Sequence, residues 1–129
     1  MMTETFSIRQ MCDDFEVTPR TLRFYEQKDL LAPLRQGTRR LYSRRDRARL
    51  TLILRGKRFG FSLEDIRQLL EMYDSDGSET QVLQTYARAQ ERLAQMETQR
   101  AEMDAAIADL RAEIAKGAAV IATFRQAAE

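Results

Sequence analysis

The stretch Val17–Tyr42, VTPRTLRFYEQKDLLAPLRQGTRRLY, decides how the whole chain is read. Thr18 is a natural N-cap, Pro19 takes the favoured first helical position, and Val17 stands at hydrophobic-staple spacing from Leu22. A helix therefore starts here. Leu22 and Tyr25 fall on its inner side, leaving Arg20, Thr21, Arg23 and Phe24 to spread over the other faces. Pro33 is read as its stop, after Leu31. Beyond it, residues 34–42 predict a small hairpin with Gly37 at the tip and Leu34, Leu41 and Tyr42 anchoring the base. Over residues 17–60, thirteen Lys and Arg outweigh three acids (Glu26, Asp29 and Asp46), a local charge of +10 in a chain whose total is +1. A field of one sign inside a near-neutral protein predicts a surface that meets a polyanion.

Capping signals organise the flanks. Ser7 with Gln10 forms a capping box and Phe6 with Met11 a staple, predicting a helix to Asp14 or Phe15 with Ile8, Met11 and Phe15 on one face. Glu16-Val17 is a tight connection, so two short capped helices succeed one another in a helix-turn-helix pattern. Ser43 with Asp46 opens a third helix carrying Leu50, Ile53 and Leu54, ended by Gly60. Ser62 with Asp65 opens a fourth, carrying Leu63, Ile66, Leu69, Leu70 and Tyr73. Asp74-Ser75-Asp76-Gly77 resembles part of a calcium loop but lacks the required glutamate five residues on, and reads as a linker. It divides the chain into residues 1–76 and 77–129. Ser78 with Gln81 caps a fifth helix at the start of the second part.

From Val82 to Phe124 thirteen positions alternate spacings of four and three, and only Arg100 and Gly117 among them are not apolar. Leu93, Met96, Met103, Ile107, Leu110 and Ile114 form the middle of this seam. A sustained heptad predicts a coiled coil. A helix from Ser78 to Ala115 would be roughly 55 Å long, too long to bury its seam on the preceding domain, so it needs a second helix like itself. Arg100 reads either as a device that sets register or as an effector contact. Gly117 either ends the helix and folds the last residues back, or the helix continues through it.

Composition excludes much chemistry. The 129 residues are 32% charged with a mean hydropathy of −0.52. No run approaches the ~20 apolar residues of a membrane span. MMTETFSIRQ lacks the layout of a signal peptide, which leads us to expect a cytoplasmic, nucleoid-associated protein with no membrane partner. One Cys and no His rule out an internal disulfide, a Cys/His zinc site or Fe–S cluster within one chain, and a histidine triad. No cofactor, metal or catalytic residue is expected, and Cys12 reads as filler. The candidate site is instead a DNA-binding surface. Arg20, Thr21 and Arg23 lie near the N-terminus of a helix sized for the major groove, beside Thr18. Arg39 and Arg40 flank the hairpin tip, Tyr42 either adds a hydroxyl to phosphate or packs beneath the wing, and Lys57 stands near the end of the third helix, ahead of Ser62, where the free backbone N–H groups that start the fourth offer a phosphate site. Arg44, Arg45, Arg47 and Arg49 read as a solvated helix face.

With Phe6-Ser7-Ile8, Thr18-Pro19-Arg20-Thr21-Leu22-Arg23-Phe24-Tyr25-Glu26, Leu30-Leu31-Ala32-Pro33, Arg39-Arg40-Leu41-Tyr42 and Gly60-Phe61-Ser62-Leu63-Glu64-Asp65-Ile66 in this order, the chain resembles the MerR family of bacterial transcription regulators over about residues 5–73. The resemblance implies a mainly α fold: a winged helix-turn-helix DNA-binding domain followed by a long antiparallel coiled-coil dimerisation helix. It implies a homodimer on a pseudo-palindromic promoter operator in double-stranded DNA. Activators of the family distort an over-long promoter spacer so that RNA polymerase engages both of its elements; other members repress. Tyr25 matches an aromatic position that reaches the DNA backbone. The chain departs from the metal- and redox-sensing branches, which carry several cysteines around the end of the coil, where this one has none. A small organic effector, CoA-linked or otherwise, is the remaining reading. The alternative class is an architectural or excisionase-like DNA-bending protein without an effector.

Overall fold

A computed structural model describes residues 4–75 and 77–129. Met1–Thr3 and Asp76 lie outside the described residues, and with Asp76 the expected boundary between 76 and 77. The chain forms two compact units, Met1–Tyr86 and Ala87–Glu129.

The first unit contains β1 (Thr5–Ser7), α1 (Ile8–Phe15), α2 (Pro19–Gln27), β2 (Leu34–Gln36), β3 (Arg39–Ser43), α3 (Arg44–Phe59) and α4 (Leu63–Asp74). The capping boxes are all formed: Ser7 with Gln10, Ser43 with Asp46 and Ser62 with Asp65. Thr18 accepts from the Thr21 amide with Pro19 in the first turn. Gly60 ends α3 with a left-handed φ of 82°, available to glycine without strain. Glu16 adopts the same region at φ 55° and turns α1 tightly into α2.

Two expectations are corrected. The helix at Pro19 does not run to Leu31 and Pro33; it ends at Gln27. Asp29 takes a left-handed φ of 59°, and the Leu30 amide donates back to the Tyr25 carbonyl at 2.9 Å. Two distant arginines then satisfy carbonyls at this end: Arg67 Nη2 donates to Lys28 O at 2.7 Å and Arg49 Nε to Leu30 O at 2.8 Å. The reversal drives Leu30 and Leu31 into the core, a larger gain than one more exposed helical turn. Second, Phe6-Ser7 is not only a helix start. Thr5–Ser7 pairs antiparallel with β3, placing Phe6 opposite Tyr42, in a three-stranded sheet ordered β1-β3-β2. A three-residue strand is made by its partner, so no local pattern announces it. The expected hairpin is β2 and β3, joined through Gly37 at φ 62° and Thr38. Glycine is the natural residue for positive φ at the first position of a two-residue hairpin loop.

The core gathers Met11, Leu22, Tyr25, Leu30, Leu31, Tyr42, Leu50, Ile53, Ile66 and Leu70 from every layer. Gly56, buried in α3, lets α4 approach: a Cβ there would meet Ile66 Cγ1 at 2.8 Å. Asp46 is the buried acid of the unit; its carboxylate accepts from the amides of Ser43 at 3.1 Å and Ala32 at 3.2 Å.

A single helix, α5 (Glu79–Ala128), makes up the rest. It opens on the Ser78–Gln81 capping box, with the Gln81 amide 3.1 Å from Ser78 Oγ. In the second unit it continues through Gly117 to Ala128, so no separate tail folds back. The glycine costs roughly 1 kcal/mol, which strong helix formers such as Ala115, Ala118 and Ala119 offset around it. The seam is bare: Leu93, Met103, Leu110 and Ile114 are each more than half exposed, and Met96 and Ile107 are 38% and 41% exposed.

Candidate nucleic-acid interface

The charge of residues 17–60 is sorted by the fold into two sets. Six cations are held by carboxylates. Arg35 and Arg40 both reach Glu26, at 3.2 and 2.7 Å. Arg45 and Arg49 converge on Asp74 at 2.8 and 2.7 Å. Arg44 meets Glu4, and Arg47 meets Asp14 at 2.9 Å while its guanidinium lies 4.3 Å from the Phe6 ring centre and 5.0 Å from that of Phe15. Within the run Arg44–Arg49, Arg44 and Arg45 lie on the solvated face as expected, whereas Arg47 and Arg49 are half-buried struts that tie α3 to its neighbours. Among the described residues the other seven, Arg20, Arg23, Lys28, Arg39, Arg55, Lys57 and Arg58, have no carboxylate partner. All seven are exposed, and Lys28 lies over the Phe24 ring. Cations left in water cost little to present and are available to an anionic partner.

The structure places the expected site residues unevenly. Arg20 and Arg23 stand exposed on α2, Arg39 at the hairpin tip and Lys57 in the last turn of α3. Thr18 and Thr21 are engaged with each other, their hydroxyls 3.0 Å apart at the cap of α2. Arg20, Thr21, Phe24 and Tyr25 from α2 meet Lys57, Phe61, Leu63 and Ile66 around an open depression of roughly 380 Å³. Tyr25 is 3% exposed, and burial pushes its hydroxyl pKa up, so it stays a neutral donor. The first turn of α4, expected to offer amides to phosphate, already holds Glu64 and Asp65, and acids there meet the helix dipole from within.

Arg40 and Tyr42 make contacts within the unit. The Arg40 guanidinium is clamped by Glu26, which ties the hairpin to α2. Burial pushes the Glu26 carboxyl up, but the guanidiniums of Arg40 and Arg35 outweigh it and hold the pKa below the ordinary value. Tyr42 is 0% exposed, so of the two uses open to it the structure shows packing; its hydroxyl has no hydrogen-bond partner. Sequence reading missed Glu26 and Asp74 as the acids that share these arginines, because partners 9 to 29 residues away leave no local signal. Among the described residues no group of His, Cys, Asp and Glu is placed to hold a metal, and no helix is long and apolar enough to cross a membrane. Cys12 is half-buried, and burial followed by the Asp13 charge raises its thiol pKa, which disfavours the reactive thiolate.

Two family models match the chain. One describes a MerR HTH family regulatory protein and covers residues 6–73; the other, described as MerR, DNA binding, covers residues 47–113. The HTH-type transcriptional regulator ZntR of Escherichia coli K12 is 34% identical over 100 residues, covering 76% of this chain and 70% of that protein. Among solved structures, HiNmlR, a MerR family regulator lacking the sensor domain and bound to promoter DNA, superposes with a TM-score of 0.61 at 22% identity, covering 78% of this chain and 76% of that one. At that identity the likeness speaks for the fold alone. A MerR family transcriptional regulator from Bacillus cereus gives a TM-score of 0.58 at 29% identity, over 75% of this chain and 72% of the other.

Proposed function

The chain belongs to the MerR family of DNA-binding transcription regulators, which are not enzymes, and from that premise we propose that it works as a homodimer on a pseudo-palindromic promoter operator. Each copy contributes one α2 to a major groove and one hairpin wing beside it, and the pair bends or untwists the duplex between them. The observation that carries this reading is the sorting of charge: six basic side chains pair with carboxylates of the scaffold, and the seven without such a partner among the described residues sit on α2 or at its C-cap, at the wing tip and in the last two turns of α3. Arg20 and Arg23 read base edges or phosphate, Arg39 and Lys57 hold phosphates, and the Tyr25 hydroxyl supports them at the depression between α2 and α4. Thr18 and Thr21 fix the start of α2, while Arg40 and Tyr42 hold the wing in place.

The dimer is supported by the bare seam of α5, an apolar stripe that a lone helix would leave in water. The protein acts in the cytoplasm, on the nucleoid, where its contact with promoter DNA reaches RNA polymerase; an effector, where one acts, is a small organic molecule. The test is selection of bound sequences from a random duplex library, then footprinting. A discrete, two-fold symmetric footprint with a distorted centre is the expected result. Dense tiling of random DNA would overturn it in favour of an architectural protein.

A further inference from the structure

The wing is fastened to α2 at one carboxylate. Arg35 and Arg40 stand directly opposite each other across β2 and β3. Like charges at facing positions of an antiparallel pair repel, so this hairpin carries a conflict of its own. Glu26, in the last turn of α2, resolves it by accepting from both: Arg40 Nε donates to one oxygen at 2.7 Å and Arg35 Nη2 to the other at 3.2 Å. Resting on the operator-binding reading above, we propose that Glu26 is a positioning residue that determines specificity. It fixes the wing against the reading helix and withholds one positive charge of the wing from phosphate, so that the operator is preferred over random DNA.

Position, burial and charge support this role. Glu26 lies about one helical turn beyond Arg23, and Arg40 follows Arg39 directly on β3. The carboxylate therefore joins the helix that presents Arg23 to the strand that presents Arg39, and slack in it becomes slack between the two groups that meet DNA. The side chains of Arg40 and Glu26 are only 20% and 23% exposed, so this arm of the tie is screened less by salt than a surface pair; Arg35 is 52% exposed. Burial alone would raise the Glu26 pKa, but the two guanidiniums hold it below the ordinary value, which keeps the carboxylate charged at neutral pH. A single arginine would suffice to fasten the wing. With two sharing one carboxylate, the cluster shows DNA a net charge of about +1 instead of +2. Phosphate contacts bind every sequence alike and supply nearly all of non-specific affinity, so a charge kept back from them costs random DNA more than the operator. Base reading by Arg23, in contrast, depends on where the wing holds the duplex.

Anisotropy titrations of the full chain over a salt series, on the selected operator and on a random duplex, test both parts of the role. Glu26→Gln keeps the shape and removes the charge. The slope of log affinity against log salt should steepen by about 0.9 on both duplexes, the value of one added phosphate contact. The ratio of operator to random affinity should fall about tenfold, the scale of one mismatched base pair. Adding Arg35→Gln returns the local charge to its native value, so the slope should recover while the ratio stays low, because the wing is still loose. An unchanged slope and ratio in Glu26→Gln would make the carboxylate a stabiliser only and overturn the proposal. A ratio that recovers together with the slope would overturn the positioning role. Arg40→Lys keeps the charge and loses the Nε bond, so it should lower the ratio with no change of slope. That variant decides the matter if Glu26→Gln does not fold, and a native ratio there would refute the tie. A native chain that prefers no duplex sequence would instead sink the operator reading itself.

Discussion

Gly56→Ala sets two effects of known size against each other. In an exposed helix interior the change adds about 1 kcal/mol of stability through backbone entropy and propensity. Here the new Cβ would lie 2.8 Å from Ile66 Cγ1 and 3.3 Å from its Cδ1, well inside the roughly 3.5–4.0 Å optimum for carbon pairs. Ile66 is 2% exposed, and Cγ1 sits next to its branch point, so the side chain has nowhere to swing. Overpacking of this kind costs about 1–3 kcal/mol, and it should win, leaving Gly56→Ala less stable by about 1–2 kcal/mol. Because Lys57, Phe61, Leu63 and Ile66 line the depression beside α2, the same displacement should also weaken DNA binding. Urea unfolding at one fixed chain concentration measures the stability change, since a dimer's midpoint depends on concentration. The decisive comparison repeats it in an Ile66→Ala background, which costs about 2–5 kcal/mol alone but removes the clashing atoms. There Gly56→Ala should become neutral or stabilising, a coupling of about 2 kcal/mol. A stabilising Gly56→Ala in the native background, or equal effects in both, would refute the steric account.

The interface and its scaffold give four other expected outcomes. Arg23→Ala should cost about 1–3 kcal/mol on the selected operator and relax base preference, whereas Arg39→Ala should weaken all sequences alike and flatten the salt slope by about 1; anisotropy titrations over a salt series separate them. Glu26→Gln should destabilise by about 1 kcal/mol at neutral pH through lost charge-assisted bonds to Arg40 and Arg35. Since the folded pKa of Glu26 lies below its unfolded one, that contribution is present above the ordinary glutamate range and disappears as pH falls through the folded value. Acid titrations of the two proteins should therefore converge at low pH; a constant difference would contradict the ion-pair account. Tyr42→Phe should leave DNA affinity unchanged and be neutral or slightly stabilising, since it removes a buried hydroxyl with no partner; a drop in affinity measured by anisotropy would restore a phosphate role. Asp46→Ala should lower stability by about 2 kcal/mol in a thermal or urea melt, as two backbone amides and the α3 cap lose their acceptor.

What could be read along the chain is what is local in it. Helix starts at Ser7, Thr18, Ser43, Ser62 and Ser78, the stop at Gly60, the turn at Gly37 and the heptad of α5 all depend on residues within a few positions of one another, so sequence alone determined them. The tertiary structure decided everything set by distant partners. Asp29, with Arg49 and Arg67 on the carbonyls around it, ends α2 ahead of Pro33. β3 turns Thr5–Ser7 into a strand, and Ile66 makes the mid-helix Gly56 necessary. Of thirteen basic residues that look equivalent in a charge run, Glu4, Asp14, Glu26 and Asp74 take six into the scaffold. Which cations remain for DNA is thus a property of the fold, because an ion pair forms wherever folding brings opposite charges within about 4 Å, whatever their separation in sequence.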